Sequence, residues 1–281
     1  MHTFVFIKII LFPMFIFRFA DIRPAGKDLN VAEDSLKMLF EELYNIDNQE
    51  NRNVINEKIK SLLSCILADH RSFYHPFDSL PSLGKVVSDD NLLRVYTWSM
   101  QKSPSEHEYF GFIQAKNADI DSISLIVLNH EQAERGTLEE KIFTSDNWYG
   151  ALYYQVVSVE AGDKKLYTLI GFDFNTMFTN AKMIDVLRID NGTAVFGGPY
   201  FRIGLETRNR LWFEYSSGVV MFVRYIPELQ KIVYDHLSPS LPQFSGQFRF
   251  YGPDMTHDAL KFENDMWTHR SDIDWKRPGM P

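Results

Sequence analysis

A single cysteine, Cys65, in 281 residues excludes any disulfide within the chain and any zinc site built on thiolates. It falls beside an apolar helical stripe, where a free thiol serves as a small hydrophobe. Positive charge is in deficit: 29 Lys and Arg stand against 37 Asp and Glu, for a formal charge of −8. The basic residues form no stripe able to neutralise phosphates, so nucleic-acid binding is excluded as a function class. There is no nucleophile elbow, no phosphate loop and no metal-ligand repeat. No fixed repeat period runs through the chain, which argues against a solenoid.

Aromatic and aliphatic residues are what the chain has in quantity. Hydrophobic residues make up 45% of it and aromatics 15%, against 23% charged, enough for a full core and inconsistent with disorder. Thr3 to Phe19 is almost continuously apolar, and its length suits the hydrophobic region of a signal peptide, with an uncleaved anchor as the alternative. Residues 1–25 are therefore expected to direct export to the periplasm or cell envelope.

Residues 28–80 read as a helical pair and linker. Asn30 followed by Glu33 resembles a capping box, after which Leu36, Leu39, Phe40, Leu43 and Tyr44 recur at helical spacing. Ile55, Ile59, Leu62, Leu63 and Ile66 form a second stripe beyond a polar loop. His70 and His75 lie in the linker and receive no role.

From residue 81 to the C-terminus the period changes to that of strands. Runs of β-branched and aromatic residues alternate with turn formers at 89–91, 103–105, 161–163, 190–192 and 217–218. Asp190-Asn191-Gly192 is a strong hairpin signal, because both turn positions tolerate positive φ. Trp148 to Val159 and Val195 to Ile203 each read as one strand. Around Leu93 to Leu128 apolar residues occupy both faces, which implies strands covered on both sides. The expected fold is mainly β: a helical pair packed on a long antiparallel meander, closed as a sandwich or open barrel, with a propeller as the alternative.

Several strings together carry a resemblance: Glu108-Tyr-Phe-Gly-Phe-Ile-Gln114, Trp148-Tyr-Gly-Ala-Leu-Tyr-Tyr154, Tyr167-Thr-Leu-Ile-Gly-Phe-Asp173, Lys182-Met-Ile-Asp-Val-Leu187, Phe213-Glu-Tyr-Ser216, Tyr234-Asp-His-Leu-Ser-Pro239 and Phe250-Tyr-Gly-Pro-Asp254. Over about residues 90–275 the chain resembles a family of uncharacterised exported proteins from Bacteroidota. Where that family often has Gly-Trp-Asp-Gly-Asn, this chain has Gly171-Phe-Asp-Phe-Asn175, matching at Asp173 and Asn175 but not at the intervening glycine. The resemblance implies export and a β-rich body, and it carries no activity with it.

The candidate site residues are Asp173, Asp235, His236, Tyr251, Asp254 and His257, named for binding, with no catalytic or metal-ligating set and no cofactor. Asp173, Asn175 and Thr179 do not make an EF-hand, since Phe178 and Ile184 occupy the positions of its glycine and bidentate glutamate. Asp235, His236, Asp254, His257 and Asp258 form the densest ionisable group. Glu214 shares a strand face with Trp212 and Ser216, and that face is expected to meet water. The composition points to a non-enzymatic binding module for an envelope component or small ligand, touching membrane only through an uncleaved N-terminus. The alternative is a glycan hydrolase using carboxylates such as Asp173, Glu214, Asp235 or Asp254.

Overall fold

The computed structural model describes residues 28–117 and 122–275; the apolar segment Thr3 to Phe19 lies outside them. Two helices, α1 (Leu29–Asn45) and α2 (Gln49–Leu67), come first among the described residues. The capping box expected at Asn30 and Glu33 does not form. Asp28 is the cap instead, its carboxylate accepting from the Asn30 amide at 3.0 Å. Glu33 turns inward and accepts from the amide and hydroxyl of Ser79 at 2.7 and 2.6 Å, with His75 Nε2 at 2.5 Å. A side chain committed to the linker cannot also reach back to the cap.

Among the described residues sixteen strands follow in chain order: β1 (Gly84–Val87), β2 (Leu93–Ser103), β3 (Glu106–Asn117), β4 (Ser122–Leu128), β5 (Phe143–Thr144), β6 (Leu152–Ala161), β7 (Lys164–Asp173) and β8 (Thr179–Asp190). The second half holds β9 (Thr193–Phe196), β10 (Phe201–Ile203), β11 (Glu206–Arg208), β12 (Arg210–Ser216), β13 (Val223–Ile226), β14 (Lys231–Pro239), β15 (Tyr251–Glu263) and β16 (Met266–Arg270). They make three sheets. The first is the meander β1-β2-β3-β4, the central one runs β5-β9-β8-β7-β6 with β12 also paired to β8, and the third runs β11-β10-β16-β15-β14-β13. Among the described residues the fold is mainly β and sandwich-like, with stacked sheets and no closed barrel.

Three clusters define the layers. Leu36, Phe40, Ile59 and Leu63 of the helices meet Tyr96, Trp98 and Phe112 of the first sheet. Val95, Tyr109 and Ile113 on that sheet's other face meet Tyr153, Leu169, Met183 and Phe196 of the central sheet. Leu166, Ile170, Ile184 and Leu211 on the far side meet Ile232, Leu260 and Trp267 of the third. The order is therefore helices, sheet, sheet, sheet, and β7 and β8 are apolar on both faces because both are covered. Each fully buried Leu or Ile contributes about 1.5–3 kcal/mol of transfer free energy.

Polar side chains fix the layers in register. Trp98 Nε1 donates to Asn56 Oδ1 at 2.8 Å, and Gln114 Nε2 donates to Leu67 O and Ser72 Oγ at 2.8 and 2.9 Å, docking the helices. Gln155 on β6 pairs with both the amide and carbonyl of Tyr225 on β13 at 2.9 and 3.2 Å, substituting for a strand partner at the edge. The run Val195 to Ile203 is not one strand. Gly197, Gly198 and Pro199 break it, sending β9 to the central sheet and β10 to the third. Likewise Trp148 to Ala151 precede β6 as irregular chain, because Gly150 turns there with φ +85°.

Candidate functional site

The β14–β15 pair gathers the ionisable residues that the sequence singles out, but on opposite faces. Regular pairing sets Tyr234 against Asp258 and Asp235 against His257, and the register then shifts between Asp235 and Leu237. Met255, 84% exposed at φ +75°, lies in the extra β15 residues opposite this shift. On one face His257 Nε2 lies 3.3 Å from Asp235 Oδ1, and Asp235 Oδ2 accepts from the Phe222 amide at 2.7 Å. Trp275 stacks on Phe222 and meets the His257 ring edge-on. These bonds tie β13 and the C-terminal segment to the sheet.

On the other face His236 Nδ1 is 2.9 Å from Asp258 Oδ2, and His269 Nε2 is 3.3 Å from the same oxygen. Asp258 Oδ1 accepts from the Asp272 amide at 3.2 Å. Burial alone would raise the Asp258 pKa, yet the hydrogen bonds from His236, the Asp272 amide and His269 outweigh it and hold the carboxyl below its ordinary range. The same bond to Asp258 raises His236 above the ordinary histidine value. With Nδ1 committed to Asp258, His236 Nε2 is the outward nitrogen, 3.9 Å from Asp254 Oδ2.

This face borders a cleft of about 320 Å³ at the edge of the layer between the central and third sheets. Leu211 and Phe213 of β12, Tyr234 and Leu237 of β14 and Ile203 form its apolar walls, with Phe213 and Tyr234 ring centroids 4.8 Å apart. His236, Asp258 and His269 form its polar end, and Arg208 and Glu139, paired at 3.0 Å, lie across from them. The lining contains no serine, threonine or cysteine.

Of the six residues named for binding, His236 presents its ring to this polar end, and Asp235 also borders the cleft while its carboxylate is bonded on the other face. Asp254 is spent on the amide and hydroxyl of Thr256 at 3.1 and 2.8 Å. Tyr251 OH accepts from the Gly246 amide at 2.9 Å, serving a turn. Asp235 and His257 bond each other on the opposite face. Asp173 is at the far end of the central sheet, where its Oδ1 accepts from Tyr109 OH and from the Asn175 amide at 2.5 and 2.8 Å. Glu214 does not face water as expected. Its strand face carries Trp212 into the layer between the first and central sheets, and its carboxylate accepts from Thr179 Oγ1 at 2.7 Å.

Sequence reasoning missed His269, whose position in β16 opposite Leu260 depends on a strand pairing that no local pattern announces. It also missed Asp185 and Arg210, an ion pair with both side chains fully buried at 2.9 Å. Directly paired across β8 and β12, the two residues join Tyr149, whose hydroxyl donates to Asp185 Oδ2 at 2.8 Å. Burial pushes the Tyr149 hydroxyl pKa well up, so it remains a donor. Among the described residues no group of three or more His, Cys, Asp or Glu is arranged to hold a metal ion. Comparison of the chain with protein-family models, curated proteins and solved structures finds no match.

Proposed function

We propose that this is an exported, non-enzymatic binding protein of the cell envelope, related to the exported β-rich Bacteroidota proteins it resembles, and that the cleft between β12 and β14–β16 takes a saccharide ring of an envelope glycan. The observation that carries the reading is the cleft's division into an aromatic wall, Phe213 and Tyr234, and a polar end where Asp258 holds His236 and His269. A sugar ring offers an apolar C–H face to the first and hydroxyls to the second, and a concave site with a few convergent polar groups suits such a ligand.

The hydrolase alternative requires a carboxylic acid that keeps its proton near neutral pH, which calls for a raised pKa. Asp258, the carboxyl group at the cleft's polar end, is displaced the other way: burial would raise it, but its hydrogen bonds from His236, the Asp272 amide and His269 hold it below the ordinary range. Asp173, Glu214, Asp235 and Asp254 are each engaged in local hydrogen bonds. Export is supported by the apolar segment Thr3 to Phe19; among the described residues no helix is long and apolar enough to cross a membrane.

Calorimetric titration of the full chain with solubilised envelope oligosaccharides tests the binding, alongside chromatography of the recovered sugars. Saturable binding that Phe213→Ala and His236→Ala each weaken, with the oligosaccharides recovered intact, is the expected result. Cleaved products would establish the hydrolase instead, and full-length protein confined to the cytoplasmic fraction would refute export.

A further inference from the structure

A second cavity, of about 50 Å³, opens at the end of the layer between the first and central sheets. His107 and Tyr109 of β3, His130 and Leu138 of the β4–β5 connection, Asp173 and Trp212 border it. Two residues that line this cavity, Trp212 and His107, carry buried polar atoms, Nε1 and Nδ1, with no hydrogen-bond partner among the described residues. A buried polar group left unmatched costs about 1–3 kcal/mol, so two of them meeting at one small cavity demand an explanation. Asp173 contributes a carboxylate whose two hydrogen bonds both fall on Oδ1.

The His107 ring stacks on Phe174 with centroids 4.2 Å apart and planes 16° from parallel. His107 lines both the polar cavity and a mainly apolar groove of about 260 Å³ where α1, β2 and the β7–β8 loop meet, so the two spaces join at this residue. Leu43, Tyr44, Met100 and Phe174 line the groove together with Ser99, Gln101 and Arg52, whose guanidinium donates to the Ile46 and Gln101 carbonyls at 2.6 and 3.3 Å. We propose that cavity and groove together bind a small amphiphile, with an uncharged carboxamide or alcohol head beside Trp212, His107 and Asp173 and its hydrocarbon chain in the groove.

The donor set selects the head. The Trp212 N–H can only donate and so requires an acceptor oxygen on the ligand, whereas the Asp173 carboxylate requires a donor. A carboxamide or an alcohol supplies both; a carboxylate head would face Asp173 with like charge. Nor do the neighbouring histidines provide a compensating cation, because desolvation lowers the pKa of both His107 and His130, with the charge of Asp173 opposing it in each case. The groove shares no lining residue with the saccharide cleft, while Trp212 lies at the edge of both the cleft and the polar cavity, so His107 is the residue that separates the two proposals.

The test titrates the full chain with octanamide, octanoate and the shorter amides at pH 7.5, following heat and the indole N–H resonance of Trp212, assigned by its loss in Trp212→Phe. Octanamide is expected to saturate, to shift that resonance and to bind at least tenfold more tightly than octanoate. Affinity should rise about fourfold for each methylene added from propanamide upward. His107→Phe, which retains the stack on Phe174 but removes both ring nitrogens, should weaken octanamide at least fivefold and leave binding in the saccharide cleft unchanged. Equal affinity for octanoate, indifference to chain length, or an indole N–H engaged by water alone with no amide binding would each overturn the proposal. Loss of glycan binding in the Phe213 and His236 variants bears only on the cleft.

Discussion

Replacing Arg210 by methionine should be among the most damaging single changes available in the chain. The guanidinium is wholly buried and donates through Nε to Asp185 Oδ2 at 2.9 Å, through Nη1 to Leu138 O and to Lys141 O at 2.8 Å, and through Nη2 to Phe196 O at 3.2 Å. It also sits 4.8 Å from the ring centroids of Phe143 and Tyr149. Removing it leaves Asp185, fully buried, with only the Tyr149 hydroxyl and its neighbouring Val186 amide as donors. Breaking a buried pair from one side costs about 3–5 kcal/mol, and the stranded carbonyls add about 1 kcal/mol or more, so Arg210→Met is expected to cost about 5 kcal/mol. Asp185→Asn keeps the shape and an acceptor for Arg210, and should cost about 2–3 kcal/mol. The double variant Asp185→Leu with Arg210→Met removes both charges and should be less destabilised than Arg210→Met alone. Urea denaturation of the wild type, Arg210→Met, Asp185→Leu and the double variant, followed by circular dichroism, gives the coupling directly, with Asp185→Asn measured beside them. A cost below about 1 kcal/mol for Arg210→Met, or strict additivity in the double variant, would refute the claim that this pair clamps β12 and the Leu138–Lys141 segment onto the central sheet.

Gly150→Ala should destabilise by about 3 kcal/mol or more, since φ is +85° and the added methyl would meet Tyr109 Cδ2 at 2.6 Å and His130 Cδ2 at 2.7 Å; a thermal melt equal to that of the wild type would contradict the packing described. His236, with its pKa raised by Asp258, contributes stability that is fully present below the ordinary value of 6.5 and is lost as pH rises through the raised value. The deficit of His236→Gln in urea midpoint should therefore be clear at pH 6 and absent at pH 9, and a deficit that grows with pH would reverse the assignment. Lys182 has its pKa lowered to about 8 by desolvation, with Arg224 adding to the effect, and its ammonium lies 4.2 Å from the Tyr154 ring centroid. Because the fold favours the neutral amine, this residue's contribution should rise with pH from about 8 towards 10.5, and Lys182→Met should stabilise the protein most at pH 7. Chemical denaturation at pH 7 and 9.5 checks this, and a destabilised methionine variant would sink it.

Local chemistry in the sequence determined the elements. Apolar spacing placed both helices to within a few residues, since Leu36, Phe40 and Leu43, then Ile55, Ile59 and Leu63, recur on one helical face whatever they pack against. Asn191 and Gly192 made their turn, at φ of 50° and 82°, because asparagine and glycine both tolerate positive φ. Strands apolar on both faces announced that they would be covered on both sides. Which strands share a sheet was beyond that reading: β9 and β10 are separated by four residues yet lie in different layers, and β10 pairs with β16, more than sixty residues away. The sites follow the pairings. Asp258 meets His236 and His269 only because β14, β15 and β16 are neighbours and the register shifts after Asp235. The polar cavity draws on β3, the β4–β5 connection, β7, its following loop and β12. A period of two or 3.6 residues reports which way a side chain points from its own strand or helix. It does not report which distant side chain that direction meets, and tertiary packing alone decided that Asp173 and Asp254, alike as turn carboxylates in the sequence, should lie at a cavity in one case and only cap a bend in the other.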